Sequence, residues 1–275
     1  MATRRIKGVK KGSQFRYNAS VSKKYASRLK AITGRMTASV KKDLLALFDG
    51  IGCNDSVAII RGISDKTRVL LNRLDADWEK EFNIIAKNMT PRMMKSVLQE
   101  SKTASLRNLR QLYEHRQIPM KMNTLEMQNV FKASVNQAVD LIRTIPVQYF
   151  DGIKGEVMRS ISSGGTFADL VKEFDKHEGK TKHRSENIAM DQTRKAYNSF
   201  NRTLCTQSGV TEGIWIHTGG TLDPRKSHRE FNGKPFKLAE GAPVGTMKGR
   251  NKYVMPGEEP FCRCTFTPIL DFNDD

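Results

Sequence analysis

The chain has little of what would mark it as secreted, membrane-spanning or disordered. Four cysteines in 275 residues are too few for a disulfide scaffold, and synthesis in a reducing cytosol is the simplest reading. No apolar run approaches the roughly 20 residues that span a bilayer. The basic N-terminus has no apolar stretch behind it, as a secretory signal would need. There is no internal repeat. Acidic residues are missing altogether from positions 1–42.

What is there can build a core. The chain is 38% hydrophobic and 28% charged, with 13 phenylalanines, which is not a disordered composition. Its net charge of +18 is uneven. Positions 1–42 carry thirteen Lys or Arg: Arg4, Arg5, Lys7, Lys10, Lys11, Arg16, Lys23, Lys24, Arg28, Lys30, Arg35, Lys41 and Lys42. A polycation of this kind suits a polyanion, nucleic acid above all, through counterion release. Arg4, Arg5, Lys7, Lys10, Lys11, Arg16, Lys23 and Lys24 are the candidate phosphate contacts. No base-reading motif accompanies them, so the contact expected is non-specific. A solubilising tail, or one docking on an acidic protein, is the competing reading.

Periodicity predicts helices over most of the chain. Residues 1–35 read as a flexible basic arm. A weakly apolar helix follows over 37–48, stopped by Gly50-Ile51-Gly52. Leu71, Leu74, Trp78, Phe82, Ile85 and Met89 make one face of a helix capped by Ser64 or Asp65. Thr90-Pro91 ends it and starts the next, since proline suits a first helical turn and not an interior. A third helix carries Phe131, Val135, Val139 and Ile142 and ends before Pro146. A shorter one spans 147–162. Thr166 and Asp169 match a capping box for a short helix over 167–174, and Lys176-His177-Glu178-Gly179-Lys180 reads as a loop. A last long helix covers 183–206, with Gly209 as its stop.

After Gly209 the texture changes. Ile214 and Ile216 alternate as in a strand, Asn232-Gly233 predicts a tight hairpin turn, 239–258 reads as a long irregular loop, and 261–269 as a final strand. The expected fold is α+β: a mostly helical N-terminal region, then a small α+β C-terminal domain with a short antiparallel sheet. The divisions are an arm at 1–35, a helical region at 36–162 and a C-terminal domain at 163–275.

The chemistry-bearing residues gather near the C-terminus. Cys262 and Cys264, two apart in a strand, would point the same way, and a disulfide between them would be strained. With His228 they are candidate zinc ligands, the fourth coming from His217, Asp223 or Cys205. The competing reading is that they are small buried hydrophobes in a protein with no cofactor. Asp223 before Pro224 is a helix cap, and Arg225 pairs with it or with a phosphate. His228 with Asn232 also suggests a metal-dependent nuclease in which the histidine activates water.

The run from about Met190 to Pro268 resembles the phage Mu F-like head morphogenesis family, the phage minor head proteins. The elements that carry the resemblance are Asp191-Gln192-Thr193 and Asn198, then Gly213-Ile214-Trp215. Asp223-Pro224-Arg225, His228 and Phe231-Asn232-Gly233 follow, then Pro260, Cys262-Arg263-Cys264 and Pro268. The resemblance implies a non-enzymatic minor component of a tailed-phage head, present in several copies and associated with the portal protein and the major capsid protein. It would act in head assembly, DNA packaging or ejection, in the virion and, during assembly, the host cytoplasm. Some family members carry a further Cys-x-x-Cys pair and a further histidine. Here Asp223, Arg225 and Glu258 or Glu259 stand in those places. Trp215, Asp223, Arg225, His228 and Gly233 are then structural fasteners of a loop-rich sheet. A DNA-binding protein outside the virion and a nuclease using His228 are the alternatives.

Overall fold

The computed structural model describes residues 8–49, 57–114, 117–118, 124–163, 167–219, 225–247 and 250–271. The fold is α+β. A short strand β1 (Val9–Lys11) leads into four long helices, α1 (Ala19–Asp49), α2 (Val57–Tyr113), α3 (Leu125–Ser163) and α4 (Phe167–Gln207). Short elements follow: β2 (Glu212–Ile216), α5 (Lys226–Glu230), β3 (Pro235–Lys237), β4 (Ala242–Met247), β5 (Arg250–Val254) and β6 (Thr265–Asp271). Among the described residues no helix is long and apolar enough to cross a membrane.

The chain forms two compact units. One gathers Met1–Val21, Met93–Val135 and Asp191–Asp275; the other gathers Ser22–Arg92 and Asn136–Met190. The divisions between these units fall inside α1, α2, α3 and α4.

Among its described residues the second unit is all helical. The α1 stripe explains why the basic segment is not an extended arm. Leu29, Thr33, Met36, Thr37, Val40 and Leu44 lie on one face of the helix and are all essentially buried. Two of the six are threonines, which blurs the apolar period. Thr33 is satisfied by a 2.8 Å hydrogen bond to Ser185. The lysines and arginines of the same helix occupy its other faces, as their long stems and charges require.

The run 176–180 is helix, not loop. Its charges pair along the helix: Lys176 with Glu173 at 3.0 Å and Lys182 with Glu178, spacings that support a helix. His177 lies so close to Gly152 that a Cβ there would sit 2.6 Å from its Cε1. Helix α2 likewise continues through Pro91 and α3 through Pro146. An interior proline costs about 3 kcal/mol, but each is flanked by buried side chains. Met89, Thr90, Met93 and Met94 surround the first; Ile142, Ile145, Tyr149 and Phe150 surround the second. Burying one large apolar side chain returns about 1.5–3 kcal/mol, so breaking either helix would lose more than the proline costs.

The first unit contains the sheet, an antiparallel four-stranded array in the order β1-β6-β2-β3. Trp215 pairs with Phe266 across β2 and β6, and Gly213 with Phe236 across β2 and β3. Residues before α1 are ordered here too: Lys10 is opposite Leu270, and Phe15 is buried against the Phe266 ring at 4.9 Å. Helix α4 buries Phe200 and Leu204 in the same unit, with Phe200 stacked on Phe131 of α3 at 6.2 Å. Within 239–258 a second, two-stranded sheet forms from β4 and β5. Its Pro243, Gly245 and a register shift between Ala242 and Gly245 disguise the strand pattern.

Candidate functional site

Asp191 and Asn198 lie on α4 seven residues apart, two helical turns on one face. Both hold the loop that precedes β6. Asp191 Oδ1 accepts a hydrogen bond from the backbone N–H of Phe261 at 2.7 Å, and its other oxygen pairs with Lys195 at 2.9 Å. Asn198 Nδ2 donates to the Cys264 carbonyl at 3.0 Å. Between these anchors Phe261 adopts φ 59, a left-handed conformation that a bulky residue adopts only under constraint. The Cys262 N–H then bonds the Glu259 carbonyl at 3.0 Å.

Cys262 and Cys264 therefore sit in a tight loop, not in the strand that alternation predicted; β6 begins at Thr265. Their sulfurs nevertheless converge, because the loop folds around His228. Cys262 Sγ is 3.4 Å and Cys264 Sγ 3.7 Å from His228 Nδ1. All three residues are buried and their ligand atoms lie within 4.8 Å of one another. His217, just past β2, brings Nδ1 to 3.5 Å from Cys264 Sγ. Cys205 is buried elsewhere as a free thiol, and burial pushes its pKa up.

The other nitrogen of His228 faces acid. Nε2 is 3.2 Å from Glu259 Oε2, close enough for charge but not aligned as a full hydrogen bond. Arg225 fixes that carboxylate, with Nε at 3.0 Å, and spans to the Pro260 carbonyl at 3.1 Å. A carboxylate there favours the proton on Nε2 and leaves the Nδ1 lone pair aimed at the sulfurs. Trp215, fully buried, stacks edge-on to the His228 ring at 5.1 Å. Its indole N–H has no conventional partner and acts on Cys264, favouring the thiolate.

Within the pair, the Cys264 S–H donating to Cys262 holds the Cys262 thiol well below its ordinary value, against the opposing effect of burial. Cys264 is pushed up, first because it is that donor, then by burial and by the charge on Cys262. One negative charge is thus easily held between the two sulfurs.

The Asn232-Gly233 step is a turn, though not one between two strands. It links α5 to β3, with Gly233 at φ 80, which glycine adopts freely. Gly233 N–H donates to the Trp215 carbonyl at 2.8 Å, and Asn232 Oδ1 accepts from His217 N–H at 2.8 Å. The Trp215, Arg225, His228 and Gly233 of the sequence pattern thus meet in one place. Asp223 lies outside the described residues, as do Arg4, Arg5 and Lys7. Glu259 was missed as a partner for His228: its only sequence signal was its place just before the Cys-x-Cys.

Of the other expected phosphate contacts, Lys10 pairs with Glu114. Lys11, Arg16, Lys23 and Lys24 are exposed. As for nuclease chemistry, His228 is only 2% exposed and its ring faces sulfur and Glu259. A general base must reach its substrate or a water beside it, and this one is closed in.

Residues 151–267 match the family model described as Phage Mu protein F like protein. The match takes in every element of the sequence resemblance except Pro268. An uncharacterized protein of Haemophilus influenzae (strain ATCC 51907 / DSM 11121 / KW20 / Rd) is 29% identical over 138 residues, 50% of this chain and 28% of that protein. The chain thus spans less than a third of that relative's length. No solved structure matches.

Proposed function

We propose, from a chain that carries a Phage Mu protein F-like segment over residues 151–267, that this protein is a non-enzymatic minor component of a tailed-phage head. The family match is the observation that carries the reading. Its structural counterpart supports it: Asp191, Asn198, Trp215 and His228, which carry the sequence resemblance, are all buried, and Asp191 and Asn198 hold the loop before β6. They maintain a fold rather than present chemistry to solvent. The protein joins other head proteins, portal and major capsid protein among them, during assembly, packaging or ejection, and resides in the virion.

Particles purified from the phage that encodes this chain are expected to contain it, as mass spectrometry of procapsids and mature heads will read. Disrupting its gene should lower the yield of DNA-filled heads. Absence from both kinds of particle would defeat the proposal and leave a DNA-binding role outside the virion.

Contact with the packaged genome is part of the same reading, supported by the thirteen cations of positions 1–42. Affinity for duplex DNA should fall linearly on a log–log plot against salt. Each phosphate contact removed lowers the slope by about 0.9. Changing Lys11, Arg16, Lys23 and Lys24 together to alanine should therefore flatten it by about 3–4, with no dependence on DNA sequence. An unchanged slope would remove these residues from the interface.

A further inference from the structure

We infer that Cys262, Cys264 and His228 hold a zinc ion, closed by His217, which clips the loop before β6 to α5 and to the end of β2. This stands independently of the phage reading, since it rests only on the donor set and its geometry.

Zinc bonds of about 2.3 Å to sulfur and 2.0–2.1 Å to nitrogen, at tetrahedral angles, set the ligand atoms about 3.5–3.8 Å apart. The three sulfur–nitrogen separations here are 3.4, 3.7 and 3.5 Å. Three of the six edges are thus near the lengths of a zinc site, and the donor atoms of Cys262, Cys264 and His228 lie within 4.8 Å of one another; His217 stands beside Cys264, outside that mutual set, and swings in to close the site. Two sulfurs and imidazole nitrogens form a soft donor set that favours zinc over magnesium or calcium.

The surroundings are those of a ligated histidine. Glu259 faces the far nitrogen of His228, and Arg225 holds Glu259 in turn. A carboxylate behind a metal-bound imidazole orients the ring and raises its basicity. Trp215 offers a buried N–H with no conventional partner on the side of Cys264. A neutral thiol makes little use of such a donor; a metal-bound thiolate accepts it. The loop geometry works in the same direction. Asp191 and Asn198 clamp the loop at both ends, and the left-handed Phe261 turns Cys262 inward. This is how a Cys-x-Cys pair, tighter than the usual zinc spacing, presents both sulfurs to one point.

The ligands come from three segments distant in sequence, so the ion acts as a cross-link whose binding free energy adds to folding. The test uses the full chain, purified without a metal-affinity step. Elemental analysis should find about one zinc per chain. Protein stripped by a chelator should rebind one equivalent of cobalt(II), with the intense visible bands of a tetrahedral site and thiolate charge transfer in the near ultraviolet. Melting temperature should drop on stripping and recover with zinc. Cys262→Ser/Cys264→Ser should lose the metal and both bands.

Because that double variant can fail to fold, Glu259→Gln supplies a second reading. It keeps all four ligands, so stoichiometry should hold while affinity falls about 10- to 100-fold. Stripped wild type that keeps its helical circular dichroism but takes up less than about half an equivalent would overturn the inference. So would a Cys262–Cys264 disulfide in freshly isolated protein.

Discussion

Trp215→Ala is expected to cost about 3–5 kcal/mol, the range for deleting a large aromatic from a packed core. The indole is 0% exposed and meets His228, Phe231 and Phe236 edge-on at 5.1, 6.0 and 5.9 Å. Those three rings come from α5, the turn after it and β3, elements of five, three and three residues. None of them has enough backbone hydrogen bonds to persist alone. The cavity would therefore open where these three short elements meet. Trp215→Phe keeps part of the volume and loses the indole N–H, and should cost roughly half as much. Urea denaturation followed by circular dichroism, with amide exchange read on β2 and β6, distinguishes the two. A cost under about 1 kcal/mol for the alanine variant would mean that the core closes without this ring.

At Asn198, aspartate should be worse than alanine, although it is closer in shape. Asn198 is 5% exposed. Its amide nitrogen donates to Cys264, and its amide oxygen lies 3.2 Å from the Thr265 hydroxyl, which also reaches the Phe15 carbonyl at 2.9 Å. Alanine leaves the Cys264 carbonyl unpaired and should cost about 1–3 kcal/mol. Aspartate instead turns a carboxylate oxygen toward that carbonyl and buries a charge with no partner. A cost of about 3 kcal/mol or more follows at neutral pH.

The sign of the pH dependence is fixed by the same argument. Burial beside a carbonyl raises the folded-state pKa of the new aspartate above its unfolded value. The penalty is therefore largest above the folded pKa and shrinks as pH falls toward the unfolded one, where a neutral carboxyl can donate to Cys264. Denaturation midpoints at pH 5 and pH 8 check it. An aspartate variant as stable as the alanine one at pH 8 would show that the side chain turns out to solvent.

Both substitutions act on residues that the sequence resemblance singles out, and that indicates how the site was legible. Asp191, Asn198, Trp215, His228 and the two cysteines stood out by type and order. Their contacts did not. The pairing of Glu259 with His228 joins residues 31 apart in a stretch with no regular period. The strand assignment of Cys262 and Cys264 failed for a related reason: Asp191 holds Phe261 left-handed, and a contact 70 residues away has no signature in a local window. Glycine and proline, the strongest local signals, misled elsewhere. Pro91 and Pro146 lie inside helices, and Gly245 lies inside a strand.

The sequence by itself determined the helical stripes, the change to a small antiparallel sheet after Gly209, the polycationic character of positions 1–42 and the likeness to phage head proteins. Each is a property of local period, net charge or ordered residue types, and needs no knowledge of what a side chain touches. The tertiary structure decided the rest: that the basic segment forms a strand at 9–11 and a helix at 19–49, that prolines are carried through helices, and that His228 and two cysteines converge. Those outcomes depend on burial and long-range hydrogen bonds. Each outweighs local propensity by an amount no window of the chain contains.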